Sequence, residues 1–289
     1  MKVAVVGCRG MLGADIMRVF RGAGIETLGY DLPELDITRE VSVLEGTGAA
    51  WVVNAAAYTD VDGAEANEAA AAAVNARGAG NLASLCARTG CSLLHISTDY
   101  VFDGTARAPY DENAEPRPLN AYGRTKLAGE TLVRSSGCEY LIVRTQALFG
   151  KHGRNFVRTV ADRLSRGEAP LRVVRDQITC PTYTAHLAQA IFRLIMLPAH
   201  GTVNVSASGE CSWYELALAV AGLVRPGAAV EPICAAECGR PARRPAYSVL
   251  DKSLYRRLTG ETMPHWTAGL KQYAAEMGWA AGDSGGGGE

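Results

Sequence analysis

Tyr122 and Lys126 stand four residues apart in the run Tyr122-Gly123-Arg124-Thr125-Lys126. On a helix, residues at this spacing share one face, which sets a phenol beside an ammonium. A free phenol has a pKa of about 10, too high for acid–base work near neutrality. A neighbouring cation stabilises the phenolate and lowers that value, which suits Tyr122 to the role of general acid and Lys126 to that of its tuner. Thr98, in the run Ser97-Thr98-Asp99-Tyr100, ends an apolar stretch that begins at Ser92. Its hydroxyl is placed to hold a substrate oxygen. The pair Y-x-x-x-K is common by chance; the threonine upstream makes the set more specific.

A glycine-rich segment supplies the other half of the chemistry. Gly7-Cys8-Arg9-Gly10-Met11-Leu12-Gly13 follows the apolar run Val3-Ala4-Val5-Val6 and opens a helical pattern. Gly7 permits a tight turn, Gly10 lets the backbone approach a pyrophosphate, and Gly13 lets helix and strand pack closely. The N–H groups of Met11 and Leu12 then belong to a helix N-terminus that favours phosphate. The spacing is GxxGxxG rather than GxGxxG. The segment reads as a dinucleotide loop, and a cationic nicotinamide near Tyr122 would lower its phenol further. Asp31, ending the second strand pattern, is placed for ribose hydroxyls and so for NADH. Arg9 is placed for a 2′-phosphate and so for NADPH, and the sequence leaves the two open. Asp36-Ile37 is positioned to flank the adenine. Ala55, Ala56 and Ala57 follow Asn54 at a strand end, where small side chains let a cofactor lie against the backbone.

These residues need a frame. Short apolar runs at Lys2–Val6, 27–30, 51–54, 92–96 and 140–143 alternate with helical patterns, as buried parallel strands do. Helices are expected at 11–24, at 64–89 in the alanine-rich stretch, and from Asn120 to 134. Thr38 is expected to cap a short helix at 41–44. This alternation predicts an α/β fold with a doubly wound parallel sheet over 1–150. Residues 151–281 read mainly as a smaller substrate-binding lobe, part of which returns to the first sheet. Its helices are expected at 155–166, 184–197, 212–223 and 266–277, with strands at 171–174, 203–205 and 230–233. Ser212-Trp213-Tyr214-Glu215 has capping-box spacing. The tail 282–289, with four consecutive glycines, reads as disordered.

Composition excludes several classes. Lys and Arg total 29 against 30 Asp and Glu, a formal charge of −1, which argues against a surface built for nucleic acid. Neither a secretory signal nor a membrane-spanning run is apparent, so a cytoplasmic protein is expected. The eight cysteines and five histidines are scattered. No spacing suits a metal, and the thiols read as small apolar fillers.

Three blocks resemble a known family. Ser97-Thr98-Asp99-Tyr100-Val101-Phe102-Asp103-Gly104 is similar to the STDYVFDG block of dTDP-4-dehydrorhamnose reductases. The run Pro118 to Glu130 resembles their PLNxYGxTKxxGE block, and Asn54 to Asp62 their NAAAxTxVD block. Gly153-Arg154-Asn155-Phe156, Asp176-Gln177 with Pro181-Thr182, and Arg244-Pro245 extend the match nearly to Trp266. The resemblance implies an extended short-chain dehydrogenase of Rossmann type. Hydride passes in that family from NADPH or NADH to C4 of dTDP-6-deoxy-L-lyxo-4-hexulose, giving dTDP-L-rhamnose.

Carried over by position, Tyr122 is the proton donor, Lys126 binds the nicotinamide ribose, and Thr98 holds the reacting oxygen. Thr59 and the Ala55–Ala57 run touch the cofactor. Asp99 and Asn155 join the substrate contacts, and Arg244 is a candidate for the nucleotide diphosphate. The Mg²⁺ that part of the family requires finds no ligand cluster in this sequence. A homodimer is compatible with the sequence, which does not fix the oligomeric state.

One departure bears on the sugar. After Val143-Arg144-Thr145, family members often carry a tryptophan, whereas this chain reads Gln146-Ala147-Leu148-Phe149. Ala147 leaves a different wall and puts the hexulose in question. Among rivals, a dehydratase needs a glutamate where Tyr100 follows Asp99. A 4-epimerase shares the tyrosine and lysine but lacks the STDYVFDG block. A non-catalytic subunit, like the regulatory one of methionine adenosyltransferase, needs no proton donor.

Overall fold

The structure, a computed structural model, describes residues 1–279; the glycine-rich tail at 282–289 lies outside the described residues. The first apolar run forms β1 (Lys2–Val6), followed by α1 (Met11–Gly22) and β2 (Glu26–Tyr30). β3 (Trp51–Asn54), β4 (Ser92–Thr98) and β5 (Tyr140–Thr145) complete the first half. A sixth strand, Gly201–Asn204, pairs parallel with the far side of β5. The sheet order is sixth strand, β5, β4, β3, β1, β2, with all neighbours parallel. The chain lays β2 on one side of β1 and β3 on the other, so the order reverses at β1. Such a switch point opens a crevice at the carboxyl ends of the strands.

The continuous apolar strands are explained by burial on both faces. Val3, Val5 and Val53 point into a core shared with α1, while Ala4, Val6 and Val52 point into a second core beneath the opposite helices. α1 offers Leu12, Ile16 and Phe20 to the first core, where α7 (Thr184–Met196) brings Leu187, Ile191 and Leu194. Burying each such side chain is worth about 1.5–3 kcal/mol. α7 and the sixth strand both come from beyond residue 150, so the second half does return to the first sheet. The rest forms its own cluster, in which α6 (Phe156–Ser165) and α8 (Trp213–Val224) pack over the parallel strand pair Leu171–Val174 and Val230–Ile233. Ser212 and Glu215 form the expected capping box at the start of α8.

Two expectations are corrected. The alanine-rich stretch is not one helix. It is α2 (Val61–Ala66), α3 (Glu68–Ala72), a π-helical stretch Ala73–Gly78 and α4 (Ala79–Thr89). Asn67 breaks the run with a non-helical backbone, and its side chain accepts from Ala70 N–H to cap α3. The π-helical stretch turns the Asn75 side chain out to the Tyr58 backbone and the Thr125 hydroxyl. Nor does Thr38 cap a helix. Its hydroxyl and its N–H both donate to Asp36 Oδ1, and the short 3₁₀ turn Ser42–Leu44 starts without a side-chain cap. All eight cysteines are free thiols, four of them buried.

Candidate active site

A cavity of about 880 Å³ lies at the carboxyl ends of β1, β3, β4 and β5. It is lined from one side by the glycine loop and from the other by Thr98, Tyr122 and Lys126. α5 (Ala121–Arg134) carries the last two. Asn120 caps it by accepting from Gly123 N–H at 2.8 Å. A Cβ at Gly123 would come within 2.2 Å of the Tyr100 carbonyl, so the glycine lets the helix start press against the end of β4. That approach sets the Tyr122 ring edge-on to Tyr100, with centroids 6.0 Å apart.

The chemical groups are buried and polar. The Thr98 hydroxyl donates to Asp99 Oδ1 at 3.0 Å and accepts from Tyr100 N–H at 3.1 Å. Burial pushes the Asp99 carboxyl up to about 7, against hydrogen bonds from Ser248, Thr98 and two backbone N–H groups. Burial also pushes the Tyr122 phenol up to about 12, with Thr98 pulling it down and Asp99 pushing it up. Tyr122 is therefore a protonated donor. Burial decides the direction for Tyr122. The Lys126 ammonium site is turned back on the Ile96 carbonyl at 2.6 Å and on His95 Nε2 at 3.3 Å. Burial pushes Lys126 down to about 8, opposed by Glu130.

The cofactor end matches a dinucleotide by shape. Gly7 has φ +79°, and a Cβ there would lie 2.6 Å from Ala56 N. A Cβ on Gly13 would lie 2.0 Å from the Gly7 carbonyl oxygen, beneath the loop. Gly10 precedes α1 without a side-chain cap, so the first N–H groups of that twelve-residue helix face the cavity unpaired by any side chain. Arg9, Gly10, Met11, Leu12, Asp31 and Asp36 line the cavity, as do Ile37, the Ala55–Ala57 run and Thr59. Asp31 accepts from Arg9 N–H at 2.8 Å and from Leu32 N–H at 2.9 Å, which pins the loop to the end of β2. The Arg9 guanidinium turns to Glu34 at 2.6 Å and to the Leu32 carbonyl at 2.8 Å. These features fit a nicotinamide dinucleotide.

Ala147 lines the cavity and holds φ +46°, an uncommon value for a residue other than glycine. Two expected contacts lie elsewhere. Asn155 caps α6 and donates to the Gly150 carbonyl at 2.9 Å. Arg244 stands beside the lining residues, its guanidinium held by both carboxylate oxygens of Asp62, at 3.0 and 2.8 Å. Sequence reasoning missed others. Thr145 lines the cavity with a buried hydroxyl that has no hydrogen-bond partner. Its place at the end of β5, beside Thr98 in register, is the signal that was there to read. Trp213 reaches the cavity from α8, and only the capping box before it hinted at its position. Among the described residues, no three His, Cys, Asp or Glu side chains converge as metal ligands do.

Comparison with known proteins agrees with this geometry. The family described as RmlD substrate binding domain matches residues 1–278. The chain is 40% identical over 274 residues to dTDP-4-keto-6-deoxy-D-glucose reductase of Streptomyces niveus, covering 93% of this chain and 94% of that protein. It is 37% identical over 290 residues to dTDP-4-dehydrorhamnose reductase of Burkholderia thailandensis, covering 92% and 95%. The crystal structure of dTDP-4-dehydrorhamnose reductase from Bacillus anthracis in complex with NADP superposes with a TM-score of 0.91 at 38% identity, covering 95% of this chain and 99% of that one. With the glycine loop, the threonine and the tyrosine–lysine pair in one cavity, the chain belongs to the dTDP-4-dehydrorhamnose reductase family.

Proposed function

We propose that the protein uses NADPH or NADH to reduce the 4-keto group of dTDP-4-dehydro-L-rhamnose, giving dTDP-L-rhamnose. The observation that carries this reading is that Thr98, Tyr122 and Lys126 share one cavity with the uncapped start of α1. The nicotinamide supplies the hydride when bound. Everything else falls to the chain. The N-terminus of α1 holds the pyrophosphate, and Asp31 and Arg9 meet the adenosine ribose. Thr98 orients the carbonyl oxygen of the sugar. Tyr122, protonated across the neutral range, gives that oxygen its proton. Lys126 binds the nicotinamide ribose and stabilises the phenolate left behind. Asp99, which lines the cavity, contacts the sugar.

A second substrate is favoured by Ala147. A small residue there leaves room for a different nucleotide-linked 4-keto-6-deoxysugar, the class named for the Streptomyces niveus relative. Supplying each keto-sugar with each cofactor and following absorbance at 340 nm tests both readings. Turnover with neither sugar, despite cofactor binding, would favour a regulatory subunit. No helix among the described residues is long and apolar enough to cross a membrane, in keeping with work in the cytoplasm on a soluble nucleotide sugar.

A further inference from the structure

Behind Lys126 lies a buried pair that the reaction as described does not use. Asn54 ends β3 and faces His95 across the register on β4; each side chain is about 1% exposed. The hydrogen bonds around them settle where the protons are. Asn54 Oδ1 accepts from Ala56 N–H at 3.1 Å. A backbone N–H only donates, so the amide orientation is set and Nδ2 must face the ring. Nδ2 lies 3.1 Å from His95 Nδ1 and can only donate to it. The imidazole proton is therefore on Nε2.

That nitrogen is 3.3 Å from Lys126 Nζ. An ammonium has three donors and no lone pair, so it cannot accept from Nε2–H. A neutral amine can accept there while donating to the Ile96 carbonyl at 2.6 Å. The reverse amide orientation would suit an ammonium, but it turns Nδ2 against Ala56 N–H. It leaves a half-buried backbone donor without an acceptor, which burial penalises.

We infer that His95 is a positioning residue for Lys126: with its proton held on Nε2 by Asn54, it donates to the lysine amine and so governs when Lys126 carries charge beside Tyr122. The tautomer follows from the hydrogen bonds alone; the consequence for catalysis rests on the reductase reading above. The surrounding groups agree. Burial holds His95 well below the ordinary histidine range, with Lys126 adding to the effect, and burial lowers Lys126 too. Glu130, one turn along α5, acts on Lys126 the other way, but its carboxylate is shared among Arg144, Arg134 and Ser97. The π-helical stretch contributes only the neutral Asn75 from its buried face. Asp99 and Tyr122, on the cavity side, are both shifted toward their protonated, neutral forms.

Two NMR measurements test this on the full chain. Imidazole ¹⁵N spectra resolve the five histidines, with His95→Gln identifying the signal. The expected result at neutral pH is a neutral ring protonated on Nε2; an Nδ1–H tautomer or an imidazolium would overturn the inference whether or not the protein turns over any sugar. The ¹³Cε signals of the five lysines then report Lys126. In folded His95→Met its midpoint should rise by about one unit, a tenfold change in proton affinity. The alkaline limb of kcat/KM against pH should move with it. A purely structural histidine would lower activity and leave both midpoints in place, which overturns the proposal as well.

Discussion

The carboxylate of Glu130 and the guanidinium of Arg144 meet through two parallel bonds, Nε to Oε1 at 2.9 Å and Nη2 to Oε2 at 2.8 Å, with both side chains almost wholly buried. Ser97 donates to the same carboxylate at 2.6 Å and Arg134 at 2.7 Å. The cluster ties α5 to β4 and β5 just below the catalytic groups, and Arg144 also lies 5.1 Å over the Phe102 ring. Burial pushes the Glu130 carboxyl up, but the bonds from Arg144 and Ser97 outweigh it and hold it below the ordinary range.

Glu130→Ala strips Arg144 of its partner and leaves a buried charge uncompensated. The expected loss is about 3–5 kcal/mol of stability, read by urea or thermal unfolding. A loss below about 1 kcal/mol would mean that solvent reaches Arg144.

Tyr122→Phe removes the proton donor while keeping the ring against Tyr100. Dinucleotide binding by fluorescence titration should persist, and turnover should fall by about 10²–10⁴-fold. Unchanged turnover would remove Tyr122 from the role given to it.

Asp99 links stability to pH. Its folded pKa of about 7 lies above the ordinary carboxyl value of 3.8. The folded state thus binds more protons than the unfolded one between those values, and stability falls as pH rises through that window. That window is worth at most about 4 kcal/mol. Asp99→Asn should therefore melt higher than the parent at pH 8 and show no such gain near pH 4, and it should weaken sugar binding. Parallel melting curves at the two pH values would contradict the assignment.

Gly13→Ala sets a methyl against the Gly7 carbonyl oxygen, 2.0 Å away. The loop must shift, so dinucleotide affinity should drop at least tenfold by calorimetry. Gly22→Ala, where a Cβ meets nothing within 4 Å, serves as the helix control and should leave affinity unchanged.

Much of this was legible in the sequence. Strands such as Val3–Val6 announce themselves because both faces are buried. The glycine loop and the Tyr122–Lys126 spacing are local patterns, and the fold brings them to one cavity. The broken helix at Asn67 was hidden because alanines flank it on both sides, while a single side-chain cap decides the break. Arg244 and Asn155 read from the sequence as ligand residues, and only the fold shows Asp62 and the start of α6 holding them. Thr145 was legible only as the end of β5, and Trp213 reaches the cavity through long-range packing that no local spacing encodes. His95 reads as one more apolar-strand residue until Asn54 and Lys126 are placed on either side of it.

The central claim is tested most directly by adding purified protein to dTDP-6-deoxy-L-lyxo-4-hexulose with NADPH, and separately with NADH, and identifying the product. The account predicts rapid cofactor oxidation with dTDP-L-rhamnose formed mole for mole. Tight cofactor binding with no oxidation by either dinucleotide would contradict it.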